Sequence, residues 1–224
     1  MTNGNESSLA GAATSERAPL RLGLLGVGNV GQGVFDVLVR NGGEIERRAG
    51  QPIRVVAASR RNVSAAKALA DAGVRISADP MEVVNDPEVD VIVELIGGTT
   101  LAKSLVLRAI ANGKHVVTAN KALLAEHGTE IFATAHQAGV IVAFEAAVAG
   151  GIPIIKALRE GLTANHIEWV AGIINGTTNF ILTEMRDKGL DFDTVLKQAQ
   201  ALGYAEADPT FDIEGVDAAH KLAL

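Results

Sequence analysis

Short apolar runs separated by amphipathic stretches fill the chain from residue 20 to residue 145. The runs predict buried strands at 21–25, 53–58, 74–76, 90–95, 114–119 and 140–144. Apolar positions at helical spacing, with capping residues, predict helices after residue 28, at 62–71, from 79 onward, from 99 or 100 to 111, and at 122–138, with a polar connection at 41–51. This alternation predicts an α/β fold built on a doubly wound, mostly parallel sheet.

The pattern changes after Glu145. Small residues at 146–153 lead into a predicted helix to about residue 161, a strand at 166–174, a turn and helix cap at 175–179, two helices to about residue 202, and a loop that enters a final helix. We predict a disordered tail at 1–18, a nucleotide-binding domain at 19–145 and a second domain at 146–224. Because the final helix reaches Leu224 with no stop signal, we expect this second domain, of α+β type, to be incomplete.

The first predicted strand runs into a glycine-rich turn. Gly26 permits the tight turn, Gly28 removes the side chain that would block a pyrophosphate, and Gly31 lets helix and strand pack closely. The helix that opens with Asn29 and Val30 directs free backbone N–H groups and the positive end of its dipole at phosphates. Strand, turn and helix together predict a dinucleotide site on a Rossmann-type sheet.

The residues after the second strand bear on which dinucleotide binds. Folds that prefer NAD place a carboxylate here, which accepts hydrogen bonds from the ribose hydroxyls. This chain has Ser59, Arg60 and Arg61 instead, and guanidinium groups suit the 2′-phosphate of NADP. We therefore favour NADP, with NAD as the alternative if both arginines are solvated loop charges.

Composition and charge narrow the classes of partner. The 224 residues carry a net charge of −6 without a basic block, which argues against nucleic acid. Cysteine is absent from the sequence, which excludes thiolate metal sites and a cysteine nucleophile. No apolar run has the length of a signal-peptide core or a membrane span, so we expect a cytoplasmic protein that acts on a small molecule, without a membrane.

Ordered motifs along the chain resemble those of homoserine dehydrogenases. In addition to the glycine turn, the motifs are Glu94–Gly98, Thr118–Lys121, Phe144–Pro153, Asn175–Asn179, Gly203–Pro209 and Asp212–Lys221. The resemblance covers residues 20–224 and implies the reversible, NAD(P)-dependent reduction of L-aspartate 4-semialdehyde to L-homoserine, on the route to threonine and methionine. It also implies that residues 146–224 form a substrate-binding and dimerisation domain, and that the full-length enzyme is a homodimer or a higher homo-oligomer.

The resemblance assigns catalytic roles to three residues. It implies that Lys221 gives a proton to the aldehyde oxygen, with Lys121 and Asp217 as further catalytic residues. Lys121 follows a predicted strand end, where ligands of parallel sheets bind, although a lysine that opens a helix is ordinarily exposed. Asp217 and Lys221 are one helical turn apart, so they share a helix face on which the carboxylate can orient the ammonium.

The resemblance also implies contacts to substrate and cofactor. The substrate contacts are Glu206, which binds the amino group, together with Asp217 and Thr177. Outside the glycine turn, the resemblance implies cofactor contacts at Lys121 and Gly203. Arg60 is assigned to the cofactor from its place after the second strand, and Thr99 from its place beyond a strand end. The position of Thr99, just beyond a predicted strand end, agrees with the general location of ligands on such sheets.

The resemblance further implies a monovalent cation site, usually for sodium. Its ligands are Glu145, Val148, Gly150 and Ile152, three of which act through backbone carbonyl oxygens. Without the resemblance, the same segment is interpreted as a hinge. The cation is expected to order the crossing between the two predicted domains and to take no part in the chemistry.

Two other functions compete with this interpretation. One is a different Rossmann-type reductase, such as a sugar or amino-acid dehydrogenase, that shares the cofactor half. The other is a chain that binds the cofactor without turnover, because an unfinished second domain leaves sheet edges and apolar surface exposed.

Overall fold

The computed structural model describes residues 17–224. The predicted tail at residues 1–18 lies outside the described residues, except for its last two positions. The strands are β1 (Leu20–Leu25), β2 (Ile53–Ser59), β3 (Arg75–Ser77), β4 (Val91–Glu94), β5 (His115–Thr118) and β6 (Val142–Ala143). They form a six-stranded sheet in the order β3-β2-β1-β4-β5-β6, and all of the pairings are parallel. The predicted doubly wound α/β sheet is confirmed.

Helices connect the strands and continue beyond the sheet. Those among the strands are α1 (Asn29–Arg40), α2 (Gly42–Ala49), α3 (Lys67–Asp71), α4 (Pro80–Asn85), α5 (Thr100–Ala111) and α6 (Lys121–Ala138). Those after β6 are α7 (Ile154–Lys156), α8 (Gly176–Lys188), α9 (Phe192–Ala201), α10 (Thr210–Ile213) and α11 (Val216–Ala223). A 3₁₀ turn, Val63–Ala66, precedes α3, and a π-helical turn, Ala157–Gly161, follows α7. Within residues 17–224, no helix combines the length and the apolar character needed to cross a bilayer.

The core has one apolar layer on each face of the sheet. Leu24 points to one face and Leu25 to the other, because successive strand residues alternate. The layer around Leu24 includes Leu69 of α3 and partly buried residues of α1. The layer around Leu25 includes Leu105 of α5 and Ile131 of α6. Helices therefore pack on both faces of the sheet.

Helix α2 occupies the stretch that the sequence pattern predicts as a polar connection. Its residues offer no apolar stripe to the core, and none of them is buried. Local interactions support the helix instead: Glu44 forms ion pairs with Arg47 and Arg48, and Gly50 ends it in the left-handed conformation, with φ of 73°. Hydrophobic periodicity does not detect a helix of this kind.

The predicted strand at 166–174 is wrong. Residues 165–175 have no helix or strand assignment apart from a bend, and the described chain supplies no strand that pairs with them. Trp169 is 76% exposed and Ile173 is 80% exposed. The segment has the composition of a strand, but a strand also needs a partner to bond its backbone N–H and C=O groups.

One part of the sheet surface is open. A groove of about 870 Å³ extends beyond α1 over β1, β4, β5 and β6. Val117 and Ile141 line the groove and are both exposed. Apolar sheet surface of this kind is ordinarily covered by another element.

Candidate active site

The glycine turn has the geometry that a dinucleotide needs. Gly26 has φ of +95°, which disfavours any side chain at this position. A Cβ atom on Gly31 would lie 2.3 Å from the carbonyl oxygen of Gly26, so only glycine allows the helix this close to the turn. A Cβ atom on Gly28 would meet nothing within 4 Å, which leaves the space in front of the turn open. The residues present therefore fit a bound pyrophosphate.

The N-terminus of α1 adds unpaired donors to this open space. Asn29 and Val30 begin the helix, and Val30 is exposed. Among residues 17–224 no side chain caps the helix, and its first turn contains no acidic residue. The backbone N–H groups and the positive end of the helix dipole therefore remain available to an anion.

A cleft of about 450 Å³ adjoins the turn at the end of β2. Its walls include Gly26, Gly28, Ser59, Arg60 and Arg61. The guanidinium of Arg60 donates to the carbonyl oxygen of Ala65 at 2.8 Å, and Arg61 is exposed. None of the described residues that line the cleft is acidic. A phosphate group in this cleft would meet two cations and no carboxylate.

The buried carboxylate of Glu94 organises the ends of β4 and β5. The sequence alone assigned no role to this residue. Glu94 is fully buried, and its Oε1 atom accepts hydrogen bonds from the backbone N–H groups of Ile96 at 2.9 Å and Gly97 at 3.1 Å. Its Oε2 atom accepts a hydrogen bond from the Thr118 hydroxyl at 2.6 Å. An acidic residue at the end of an apolar strand, just before two glycines, is the signal that points to such a network. The carboxylate holds two loops together at the carboxyl edge of the sheet.

Asn120 ties the same two loops to α6. Its Oδ1 atom accepts a hydrogen bond from the Leu123 N–H at 3.1 Å and so caps α6, while its Nδ2 atom donates to the carbonyl oxygen of Gly98 at 2.7 Å. Thr99 lies directly before α5, and its side chain forms no capping bond. Thr99 and Lys121 therefore lie at neighbouring strand ends, on loops joined by a buried network.

Two lysines converge on one carboxylate near this edge. Lys121, the first residue of α6, donates a hydrogen bond from Nζ to Oδ1 of Asp217. Lys221 donates to Oδ2 of Asp217 at 2.8 Å and to the carbonyl oxygen of Ile174 at 2.9 Å. The Asp217 side chain is 8% exposed, and those of Lys121 and Lys221 are 22% and 21% exposed. The contact between α6 and α11 thus brings together three residues that the resemblance implicates in catalysis.

The lysines keep the Asp217 carboxylate ionised. Burial acts to raise the pKa of Asp217, but hydrogen bonds from Lys121, Lys221 and Asn175 outweigh it and lower the pKa from 3.8 to about 2. Asp217 is therefore a fixed negative charge at neutral pH, between two ammonium groups.

Two further side chains contact the cluster that Lys121, Asp217 and Lys221 form. The sequence alone gave neither of them a role in catalysis or binding. Asn175 donates from Nδ2 to Asp217 at 2.9 Å and to Asp212 at 2.7 Å. The Nζ atom of Lys121 lies 5.0 Å from the centre of the Phe211 ring, a distance at which a cation and an aromatic face attract. The sequence identified Asn175 as part of a capping turn, but it gave no sign that its amide reaches residues 37 and 42 positions away.

Other predicted contacts lie on or beside the loop between α9 and α10. Glu206 is exposed on this loop. Gly203 follows α9 with φ of +75°, and the Thr177 hydroxyl donates to the carbonyl oxygen of Tyr204 at 2.7 Å. Thr177 therefore contacts the loop that carries Gly203 and Glu206. None of them forms a hydrogen bond to Asp217 in the part of the chain that the structure describes.

The predicted cation ligands lie in a tightly bonded loop. The Glu145 carboxylate accepts hydrogen bonds from the N–H groups of Ile155 at 2.8 Å and Lys156 at 3.1 Å, and so caps α7. The Ile152 carbonyl oxygen accepts one from the Ile154 N–H at 2.8 Å. Residues 17–224 contain no group of three His, Cys, Asp or Glu side chains suited to a metal. A cation here would depend on backbone carbonyl oxygens, and the site at Glu145, Val148, Gly150 and Ile152 stays a prediction.

The fold and the glycine turn define the class: a Rossmann-type, dinucleotide-binding α/β protein. The family model "Homoserine dehydrogenase, NAD binding domain" matches residues 26–145, and the model "Homoserine dehydrogenase" matches residues 153–224. The chain belongs to the homoserine dehydrogenase family, whose members are oxidoreductases.

Individual relatives agree with this assignment. The chain is 65% identical over 209 residues to the homoserine dehydrogenase of Pseudomonas aeruginosa and 60% identical over 206 residues to that of Neisseria gonorrhoeae. These matches include 92% of this chain and 47% of each relative, so the chain spans about half the length of the curated relatives it matches.

Solved structures give the same result. A homoserine dehydrogenase from Thiobacillus denitrificans superposes with a TM-score of 0.85 at 68% identity, over 91% of this chain and 47% of that one. A hyperthermophilic archaeal homoserine dehydrogenase in complex with NADPH superposes with a TM-score of 0.77 at 26% identity, over 91% and 67% of the two chains.

Proposed function

We propose that this chain carries the cofactor site and the proton-transfer residues of a homoserine dehydrogenase, which reduces L-aspartate 4-semialdehyde to L-homoserine reversibly with NADP(H). The observation that carries the proposal is the convergence of Lys121 and Lys221 on the buried Asp217 carboxylate. Family membership supports the choice of substrate.

The residues around the glycine turn fit the cofactor. Gly26, Gly28 and Gly31, with the N-terminus of α1, would hold the pyrophosphate. Arg60 and Arg61 would bind the 2′-phosphate, and the lack of an acidic residue among the described walls of the cleft favours NADP over NAD. The archaeal relative described in complex with NADPH supports this preference. When bound, the reduced nicotinamide supplies hydride to the aldehyde carbon.

The side chains of the cluster would supply the proton that the aldehyde oxygen takes up during reduction. Lys221 would donate a proton from Nζ to the aldehyde oxygen during reduction and accept it back in the reverse direction. Its ammonium would also stabilise the negative charge that develops on that oxygen. Asp217, ionised between the two lysines, orients the Lys221 ammonium, and Lys121 adds a second positive charge at the same edge of the sheet.

Further contacts to substrate and cofactor complete the proposed site. Glu206, Thr177 and Asp217 would bind the substrate, with the Glu206 carboxylate on its amino group. Thr99, Lys121 and Gly203 would contact the cofactor. The exposure of Glu206 leaves its carboxylate free for a ligand.

The proposal is tested by measuring NADPH consumption spectrophotometrically with aspartate semialdehyde and, in parallel, with sugar substrates. Consumption with aspartate semialdehyde alone, and homoserine as the product, is the expected result. Turnover of a sugar without turnover of aspartate semialdehyde would instead identify another Rossmann-type reductase.

A second candidate is cofactor binding without turnover. The open groove beside α1 and residues 165–175, which have no strand partner within the described chain, favour it, because both leave apolar surface uncovered. Saturable NADPH binding, measured by nicotinamide fluorescence, with no NADPH consumption in the presence of aspartate semialdehyde, is the result that would select this candidate.

We further propose that the chain forms a homodimer or a higher homo-oligomer. The exposed apolar side chains of Trp169 and Ile173 support self-association. Sedimentation velocity tests the proposal, since a species of monomer mass at micromolar concentration would contradict it.

A further inference from the structure

Two adjacent residues hold both members of the Asp217–Lys221 pair. The carbonyl oxygen of Ile174 accepts a hydrogen bond from Nζ of Lys221 at 2.9 Å. The side-chain amide of the next residue, Asn175, donates to Oδ2 of Asp217 at 2.9 Å. The ammonium and the carboxylate are therefore fixed with respect to a single dipeptide at the N-terminus of α8.

The Asn175 side chain is buried and fully bonded. Its Oδ1 atom accepts hydrogen bonds from the Thr178 backbone N–H at 2.8 Å and the Thr178 hydroxyl at 2.9 Å. Its Nδ2 atom donates one hydrogen bond to Asp217 and a second to Asp212 at 2.7 Å. If the amide of Asn175 were flipped, its NH₂ group would face the donor N–H of Thr178 and its oxygen would face two carboxylates. The hydrogen-bond network therefore permits one orientation of the amide.

Capping α8 does not by itself require an amide. Asp191 caps α9 in the same way: its Oδ1 atom accepts from the Thr194 N–H at 2.9 Å, and its Oδ2 atom accepts from the Thr194 hydroxyl at 2.7 Å. A carboxylate serves as well as an amide for this purpose. What distinguishes position 175 is the pair of N–H donors directed at Asp212 and Asp217.

We infer that Asn175 is a positioning residue for proton transfer by Lys221, an inference that rests on the proposed function. Its amide holds the Asp217 carboxylate in the orientation that aligns Lys221, while its oxygen caps α8. The charged groups that face this point come from three helices: Lys121 on α6, Asp212 on α10, and Asp217 with Lys221 on α11. An acidic side chain at position 175 would stand against two carboxylates.

Two substitutions separate positioning from helix capping. Asn175→Ser keeps a capping oxygen but removes the donors to Asp217, and Asp191→Ser is the matched change at the equivalent cap of α9. Asn175→Asp is isosteric and keeps the cap but reverses donor to acceptor, with Asp191→Asn as its control. If Asn175 only capped α8, N175D would leave thermal stability unchanged or raise it, since an acidic cap suits a helix N-terminus.

The readouts are thermal unfolding, NADPH consumption with aspartate semialdehyde, and the reactivity of Lys221 toward reductive methylation, read by peptide mass spectrometry against the exposed Lys197. For N175S we expect kcat to fall about tenfold with KM changed by less than about threefold, since a hydrogen bond to a charged group is lost. Lys221 reactivity should rise about threefold or more as Asp217 loosens its hold on the ammonium. N175D should unfold at a lower temperature than wild type or fail to fold, and both Asp191 variants should leave kcat and Lys221 reactivity unchanged.

The outcomes are distinct. Unchanged Lys221 reactivity in N175S, together with wild-type stability of N175D, would overturn the inference. If wild type consumes no NADPH while Lys221 reactivity responds to N175S as expected, then the proposed function fails and the positioning contact stands. If N175S fails to fold, the Lys221 reactivity of N175D, compared with that of D191N, decides: a rise above wild type supports the inference, and a wild-type value overturns it.

Discussion

Replacing Asp217 with Asn tests the electrostatic basis of the site. The substitution keeps the size of the side chain but removes the negative charge that faces Lys121 and Lys221, both about four-fifths buried. The fall in the Asp217 pKa from 3.8 to about 2 means that ionised Asp217 interacts more favourably in the folded than in the unfolded chain. At neutral pH that shift corresponds to about 2 kcal/mol of folding free energy.

The sign and the pH range follow from the direction of the shift. Because the folded-state pKa is depressed, the stabilisation is present in full above about pH 4 and is lost as the pH falls toward 2. D217N should therefore unfold at a temperature about 4–8 °C lower than wild type at pH 7. The difference in unfolding free energy should shrink to about half by pH 3, because Asp217 is by then mostly protonated in the unfolded wild-type chain.

The assay is thermal and urea unfolding followed by circular dichroism, with D71N as the matched control. Asp71 also pairs with a lysine, Lys67, but both side chains are largely exposed, at 62% and 77%. An exposed pair of this kind contributes about 0–1 kcal/mol. If D217N costs no more than D71N, or if its deficit is the same at pH 7 and pH 3, the argument for a strongly coupled carboxylate is refuted.

Three further predictions concern the cofactor side of the molecule. Gly31→Ala should lower the free energy of unfolding by about 1–3 kcal/mol and weaken NADPH binding, because its Cβ would collide with the turn. G33A, whose Cβ would have open space around it, should leave the free energy of unfolding unchanged or raise it by up to about 1 kcal/mol in the same thermal unfolding experiments. Arg60→Ala should weaken NADPH binding about tenfold and leave NADH binding unchanged in fluorescence titrations, and equal losses for both would refute the assignment of Arg60 to the 2′-phosphate. Glu94→Gln should cost about 1–3 kcal/mol of unfolding free energy, while E82Q, at an exposed carboxylate, should cost less; equal costs would contradict the importance of the buried network.

The sequence predicts those features of the fold that depend on local patterns. Short apolar runs identified the strands of the sheet, and Asp79 with Pro80 identified the start of α4, since Asp79 accepts a hydrogen bond from the Met81 N–H. The glycine spacing predicted the tight approach of α1 to the turn. The one-turn spacing of Asp217 and Lys221 predicted a shared helix face, and in the structure the two side chains are in contact.

Features that depend on distant or atypical interactions could not be predicted in this way. Lys121 and Asp217 are 96 positions apart, and no local pattern indicates that α11 packs against α6. Helix α2 has no apolar stripe, so periodicity does not detect it. Residues 166–174 have the composition of a strand, but composition does not reveal whether a pairing partner is present.

Proton transfer by Lys221 is tested most directly by the rate of NADPH oxidation with aspartate semialdehyde in Lys221→Met. The comparisons are wild type and Lys197→Met, a change at an exposed position of α9. Methionine keeps the length of the side chain and removes the proton, and general acid catalysis contributes about 100-fold or more to such reactions. We expect a loss of about that size in K221M, unchanged NADPH binding, and a wild-type rate in K197M. A K221M rate within about threefold of wild type would contradict the assignment of proton transfer to Lys221.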